Sequence, residues 1–280
     1  NPVYDAPADA KLAEKIKDVK EIITLTLFPN ETSDVSSVVV PKSHYLESWG
    51  DTRSYDGTIS FVQPLIAPLF SSLTETELLA KFLGKEAFKS YKAVKENYAG
   101  KNWDADLQKG FISGSAFKAK SVKPNWGEIS HILKGAVAGP DNNKFELIFA
   151  ADYSTFDGRY NNNGWMQELP DPITKLTWDN AVLMSYGTAK SKDVENRDLV
   201  TITAANGAKL TAPVWVVPGM PDNTVQVTLG YGRTSLGEEK GDRAYVVFSD
   251  TGFNSYTLRT TDNYGFTSCD VEKADGTYDL

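Results

Sequence analysis

The chain is poor in the residues that build redox and metal centres. It has one cysteine, Cys269, and two histidines in 280 residues. A single thiol excludes an internal disulfide and cannot hold an iron–sulfur cluster, which takes about four thiolates. Two histidines exclude a multi-histidine metal site. Positive charge is also scarce: 29 Lys and Arg stand against 37 Asp and Glu, a net charge of −8 with a pI near 4.9. That balance argues against nucleic acid or an anionic membrane as the main partner. The apolar runs fall far short of the ~18 residues of a membrane span. No secretory signal pattern is found. The first residues are Asn1-Pro2 rather than Met, and the chain is expected to be an excised piece of a longer protein.

What remains is ordinary globular material, 41% hydrophobic and 24% charged, long enough for one large or two medium domains. After a Pro-rich start, Asp9 can cap a helix in which Leu12, Ile16 and Val19 share a face. Residues 21–28 (EIITLTLF) read as a strand. Asn30-Glu31-Thr32 fits a glycosylation sequon, but a turn into a short helix explains it without a sugar. Residues 37–40 read as a second short, buried strand ending at Pro41. This order is half of a βαβ unit without its first strand. The lysine- and aromatic-rich stretch 84–103 is expected to be a helix ending near 97–100, and another short helix is expected over 126–134. Gly139-Pro140-Asp141-Asn142-Asn143 is the best boundary signal. A buried strand follows at 145–152, and β patterns dominate from there.

The richest stretch is 168–234. Val200 and Ile202 alternate with threonines up to Asn206-Gly207, and Leu210, Ala212, Val214 and Val216 alternate after it. Asn-Gly between two alternating runs marks a hairpin, because both residues tolerate positive φ. The block ELPDPITKLTWDNAVLMS, LVTITAANGAKLTAPVWVVPG, TVQVTLGYGRT, in this order, resembles the C-terminal cofactor-covering domain of the molybdopterin oxidoreductases. The nearest likeness is to the molybdopterin-oxidoreductase-like subunit of bacterial alternative complex III. Residues 37–70, with VVVP, a short helix carrying Glu47 and the turn Asp56-Gly57-Thr58, resemble another passage of that family. Residues 1–7 resemble its loop against the cofactor nucleotide, 74–83 its following helix and 104–110 a later short helical turn.

The resemblance implies a mixed fold: an incomplete, Rossmann-like α/β domain over 1–140, then a double-psi β-barrel over 141–280. It implies that the loop 153–169 approaches the pterin or its nucleotide. Arg159 could there clamp a phosphate, and Asn161 with its neighbours Asn162 and Asn163 could bond a base or sugar. It also places Gly252 and Asn254 in a late pterin-contacting loop. The same long loop reads first as a partner surface, with Tyr160 and Trp165 as anchors. Gly230-Tyr231-Gly232-Arg233 lacks the Lys-Ser/Thr of a P-loop and reads as a Gly-shaped β-turn. His44, Glu47 and Asp51 read as a hydrogen-bonded cluster rather than a metal site. Cys269, in a polar stretch with acids nearby, reads as an unreactive thiol.

The family pattern also breaks. Where cofactor-binding members usually carry Glu-Gly-Arg, this chain has Asp56-Gly57-Thr58, so an anion contact is lost. The first expectation is therefore a non-catalytic structural and assembly portion of a quinol oxidoreductase subunit with no cofactor in this chain. Its partners would be other subunits of a respiratory complex, together with an iron–sulfur module of the same parent, at the periplasmic face of a bacterial inner membrane. The second is a cofactor-contacting fragment of a true molybdopterin-dependent oxidoreductase, holding molybdopterin dinucleotide. The third, prompted by 13 Tyr and 6 Trp, is a secreted carbohydrate- or peptide-binding β protein.

Overall fold

The computed structural model describes residues 1–98, 102–136, 144–234 and 251–280. The boundary read at residues 139–143 lies outside them. The described residues fall into two units. One comprises Ile23–Leu27 and Ser37–Ala136; the other comprises Asn1–Ile22, Phe28–Ser36 and the described part of Val137–Leu280.

The first unit holds two small sheets. β1 (Ile23–Thr26) pairs in parallel with β2 (Val38–Pro41), Ile23 opposite Val38. The expectation that the second of these strands is buried is not met: Val38 is 42% and Val39 44% exposed, so both of its faces meet solvent. A run of valines specifies a strand, but burial needs a layer on each face. β3 (Gly50–Arg53) and β4 (Ile59–Val62) form an antiparallel hairpin around Gly57. No arginine follows that glycine, yet the Arg53 guanidinium donates to its carbonyl at 3.1 Å. The helix Glu75–Phe82 starts on a capping box in which Thr74 Oγ1 accepts from Glu77 N and Glu77 accepts from Thr74 N. Ser90–Tyr98, Trp103–Lys109 and Trp126–Ala136 are the other main helices. Edge-to-face contacts of Phe61 with Tyr98 and Trp103, and of Trp49 with Tyr91, give this unit an aromatic core beside the buried Ile59, Val94 and Ile112.

The second unit is built on a closed six-stranded barrel: β5 (Phe145–Ala151), β6 (Val182–Met184), β7 (Asp198–Ala204), β8 (Lys209–Val216), β9 (Thr224–Leu229) and β10 (Phe266–Thr277). Around the barrel the order is β10-β5-β9-β6-β8-β7. β5 runs parallel to β9 and β6 parallel to β8; the other pairs are antiparallel. Of these strands, only β7 and β8 are neighbours both in sequence and in space. The remaining connections each step over one strand, the crossed arrangement expected of a double-psi barrel. Alternate side chains fill the interior: Leu147 and Phe149, Val200 and Ile202, Ala212 and Val214, Val225 and Val227, Cys269 and Val271. Each large aliphatic one contributes about 1.5–3 kcal/mol by leaving water.

The β7–β8 hairpin turns at Asn206-Gly207 as read, but by a different device. Of the two residues, only Gly207 has positive φ, at 81°. Gly207 N donates to Ala204 O, and Ala204 N to Ala208 O. This is a three-residue loop, a turn closed by a left-handed glycine, rather than a two-residue turn with both residues left-handed. The start of the chain also departs from expectation. Helix breaks up into Ala8–Ala10, Leu12–Lys15 and Ile16–Asp18, and Val19 is extended. Asp9 does not cap: its carboxylate accepts from the backbone N–H and hydroxyl of Thr261, a tertiary partner that outcompetes the local one. Asn30 does cap, accepting from Thr32 N and Ser33 N at the head of Glu31–Asp34.

Candidate functional site

The late turn Gly230-Tyr231-Gly232-Arg233 leaves β9 and meets the segment around Glu31. Arg233 and Glu31 are 5% and 8% exposed at their side chains and form a forked pair. Arg233 Nε lies 2.8 Å from Glu31 Oε1, and Nη2 lies 2.7 Å from Oε2. Nη1 donates to Gly158 O at 3.0 Å. Asn1 Nδ2 and Thr234 N also donate to the carboxylate. Burial pushes the Glu31 carboxyl up, but the hydrogen bond and charge of Arg233 outweigh it and hold the group at about 2. Beneath the guanidinium lies Tyr4, whose ring centroid is 4.7 Å away and whose hydroxyl donates to Tyr231 O at 2.7 Å. Tyr4 stacks edge-on against Tyr256, and Tyr256 donates to Asp157 O. Burial raises both phenols, Tyr256 to about 12. A bidentate pair with its remaining lone pairs satisfied suits a buried charge.

The loop after β5 folds back on this cluster. Asp152 Oδ1 accepts from Ser154 N and Thr155 N, both at 2.8 Å, and so shapes the first turn. Arg159 is exposed and forks onto Asp157, with Nη2 to Oδ2 at 2.7 Å. Burial pushes Asp157 up, but its bonds to Arg159 prevail and lower it. Asn161 is buried and faces inward, Nδ2 donating to Gly230 O at 2.5 Å. Gln167 Nε2 donates to Asn161 O at 2.6 Å. The loop ends in the short helix Gly164–Glu168, capped by Asn163. Tyr160 is 48% and Trp165 89% exposed. A Cβ at Gly252 would stand 2.6 Å from Asn180 Oδ1; Asn254 Oδ1 caps the turn Ser255–Leu258 by accepting from Tyr256 N.

A cavity of about 300 Å³ opens beside the first residues of this loop. Its walls are apolar at Ala150, Ile173, Leu183 and Met220, and acidic at Asp152, Asp171 and Asp179. Among the described residues, no lysine or arginine lines it. Burial raises Asp152 and Asp179 despite the hydrogen bonds each accepts. Three carboxylates without a cation do not fit the pyrophosphate of a pterin dinucleotide. The cation expected to meet a phosphate, Arg159, is already spanned by Asp157.

The structure therefore brings Asn161 and Gly230 together and leaves Arg159, Tyr160 and Trp165 on the surface. His44, Glu47 and Asp51 do not converge on a metal. His44 Nδ1 accepts from Leu46 N, Glu47 accepts from His44 N and Leu69 N, and Asp51 accepts from Tyr98. Among the described residues no group of three or more His, Cys, Asp or Glu could hold a metal ion. Cys269 is fully buried in the barrel, not in polar surroundings, because Ser268 and Asp270 point the other way along the strand. Burial first, then Asp270, pushes its thiol up to about 12. Sequence reading missed the Glu31–Arg233 pair. The one local signal was an arginine beside two glycines.

The molydopterin dinucleotide binding domain family matches residues 153–268. The chain is 24% identical over 260 residues to the menaquinone reductase molybdopterin-binding-like subunit of Nitratidesulfovibrio vulgaris, covering 85% of this chain and 36% of that protein. It is 32% identical over 92 residues to a subunit of the tetrathionate reductase of Salmonella typhimurium, covering 31% of this chain and 9% of that one. The chain thus spans well under half the length of these relatives. The fold is shared with acetylene hydratase from Pelobacter acetylenicus: TM-score 0.68 at 12% identity, covering 97% of this chain and 43% of that structure. Residues 153–268 match a molydopterin dinucleotide binding domain, and together these likenesses support a place in the molybdopterin oxidoreductase family.

Proposed function

We propose that this chain is the non-catalytic portion of a quinol oxidoreductase subunit of the alternative complex III kind, contributing fold and interfaces to a respiratory complex. In that setting its partners are an iron–sulfur module of the same parent and neighbouring subunits, at the periplasmic face of a bacterial inner membrane. Among the described residues no helix is long and apolar enough to cross a membrane. Residues 1–140 would be the parent's partial α/β domain and 141–280 its barrel. The observation that carries this reading is the employment of the expected cofactor contacts. Arg159 binds Asp157, Asn161 binds the backbone of Gly230, Asn254 caps a turn, and the adjoining cavity is acidic. The likeness over 85% of the chain to a molybdopterin-binding-like subunit of a menaquinone reductase supports it. So does surface: Trp165, Leu65, Leu69 and Phe70 are each more than 70% exposed, and β1–β2 shows valines on both faces.

The second reading, a fragment that contacts molybdopterin dinucleotide, is favoured by the match at 153–268, which encloses Arg159, Asn161, Gly252 and Asn254. Metal analysis and visible absorption of the purified chain, with titration by the pterin dinucleotide, separate the two. Under the assembly reading the chain binds no stoichiometric molybdenum or pterin, and Trp165→Ala weakens its binding to the cluster-bearing module of its parent. Tight pterin binding lost in Arg159→Ala and Asn254→Ala decides for the second.

A further inference from the structure

Beside the hairpin of β3 and β4 the first unit carries a segment that the rest of the chain leaves uncovered. Its root is fastened: Ile112 is buried, Phe117 N donates to Asp56 O at 2.8 Å, and the Arg53 guanidinium lies 5.3 Å from the Phe117 ring centroid. Yet over 116–134 every residue except Ile129 is exposed. The far end is the 11-residue helix Trp126–Ala136, which Asn125 caps by accepting from Glu128 N at 3.3 Å. Trp126, Ile129, Ile132 and Leu133 fall on one arc of that helix, and Glu128 and His131 fall on the opposite side. Phe117, Val122, Trp126, Ile132 and Leu133 are each more than half exposed. A helix this short is marginal in water by itself and draws its stability from packing its apolar face. The segment is also basic: Lys118, Lys120, Lys123 and Lys134 stand against Glu128 alone, in a chain of net charge −8. The ion pairs among the described residues lie elsewhere, and none takes one of these four lysines.

We propose that residues 116–136 dock on an anionic lipid bilayer, the helix lying in the plane of the interface with Trp126, Ile129, Ile132 and Leu133 toward the acyl chains and the lysines among the headgroup phosphates. Charge complementarity selects this cover. A tryptophan anchors at headgroup depth, an apolar arc enters the acyl boundary, and lysines reach the anionic headgroups while their stems lie along apolar surface. Protein interfaces, by contrast, are enriched in arginine and depleted in lysine, and no arginine occurs over 111–136. The acidic balance of the whole chain argues against a membrane as its main partner. The local excess of lysine argues for one at this place, and the repelled remainder of the chain orients the contact. The helix lies on the bilayer rather than across it, since a crossing takes about 20 apolar residues. The segment is separate from the barrel, so the outcome is independent of whether the barrel holds a pterin.

Flotation of the chain with vesicles tests the proposal. At low salt it should float with phosphatidylcholine vesicles containing about 30% phosphatidylglycerol, stay behind with pure phosphatidylcholine, and be released by high salt. Lys118→Gln, Lys120→Gln and Lys123→Gln together should weaken the binding at least about tenfold. Trp126→Ala with Leu133→Ala should weaken it at least about tenfold too. All five residues are exposed, so the melting temperature should not move. The same charge removed at Lys81, Lys85 and Lys89, exposed residues outside the segment, should change binding less than about twofold, which separates this segment from net charge. Absence of flotation with the anionic vesicles overturns the proposal. So does flotation that survives both sets of substitutions, or that is equal on neutral vesicles. Sedimentation in lipid-free buffer covers the other occupant: an oligomer that either set of substitutions dissolves, with no lipid binding, would assign the face to a second copy of this chain instead.

Discussion

Glu31 and Arg233, 202 residues apart in sequence, form a forked and buried ion pair that ties the segment at Phe28–Ser36 to the end of β9. Neither charge can be removed alone without leaving the other buried. Glu31→Ala should therefore destabilise the barrel unit by about 3–5 kcal/mol, and Arg233→Ala comparably. Urea unfolding with a barrel-located probe measures this. A loss below about 1 kcal/mol would show that the pair is solvated in solution.

The same pair sets an acid dependence. The Glu31 carboxyl is depressed from its ordinary value of 4.5 to about 2. A depressed acid contributes stability that is complete above its unfolded pKa and is lost as pH falls through the folded one. Wild type should thus lose stability between about pH 5 and 2 more steeply than Glu31→Gln. Parallel stability curves for the two proteins across that window would refute the assignment.

Cys269 should be inert. Its side chain is fully buried and its thiol is pushed up to about 12. Alkylation by iodoacetamide near pH 8 should proceed only through opening of the barrel, whereas denatured chain reacts at once. Rapid stoichiometric labelling of native protein is the contrary result.

Two glycines separate backbone strain from steric overlap. A Cβ at Gly207 meets nothing within 4 Å, so Gly207→Val costs only the left-handed backbone, about 1–2 kcal/mol. A Cβ at Gly232 would stand 2.1 Å from Asn254 N, and φ there is 67°. Gly232→Ala should lower the melting temperature more than Gly207→Val does. The reverse order would mean that the Gly232 turn yields.

Replacing Ile202 by Ala should cost about 2–5 kcal/mol, since the side chain is fully enclosed by the other strands of the barrel. Thr201, its neighbour on the outer face, shares its hydroxyl with Thr211 and should tolerate Ala with under about 1 kcal/mol of loss. Thermal unfolding of the two variants makes the comparison.

Near-neighbour chemistry was legible from residues alone. The alternation at Val200 and Ile202, the turn at Asn206-Gly207 and the helix start after Asn30 each rest on groups a few residues apart, whose geometry the backbone dictates. The family resemblance carried the barrel for the same reason: its strands appear in order, each with its own pattern. Of the candidate site, the late glycine turn and the polar loop at 153–169 were visible as segments, but not which way their side chains face. Asn161 turns inward to Gly230 while Arg159, two residues earlier, turns out to Asp157.

Sequence by itself determined the strand periods, the helix start after Asn30, the acidic charge and the poverty in metal and cluster ligands. Tertiary structure alone decided the partners of Asp9, Glu31 and Arg233, the burial of Cys269 and the exposure of Val38 and Val39. Those outcomes depend on which distant segments close around a residue. Desolvation and ion pairing are properties of that enclosure rather than of any stretch of chain.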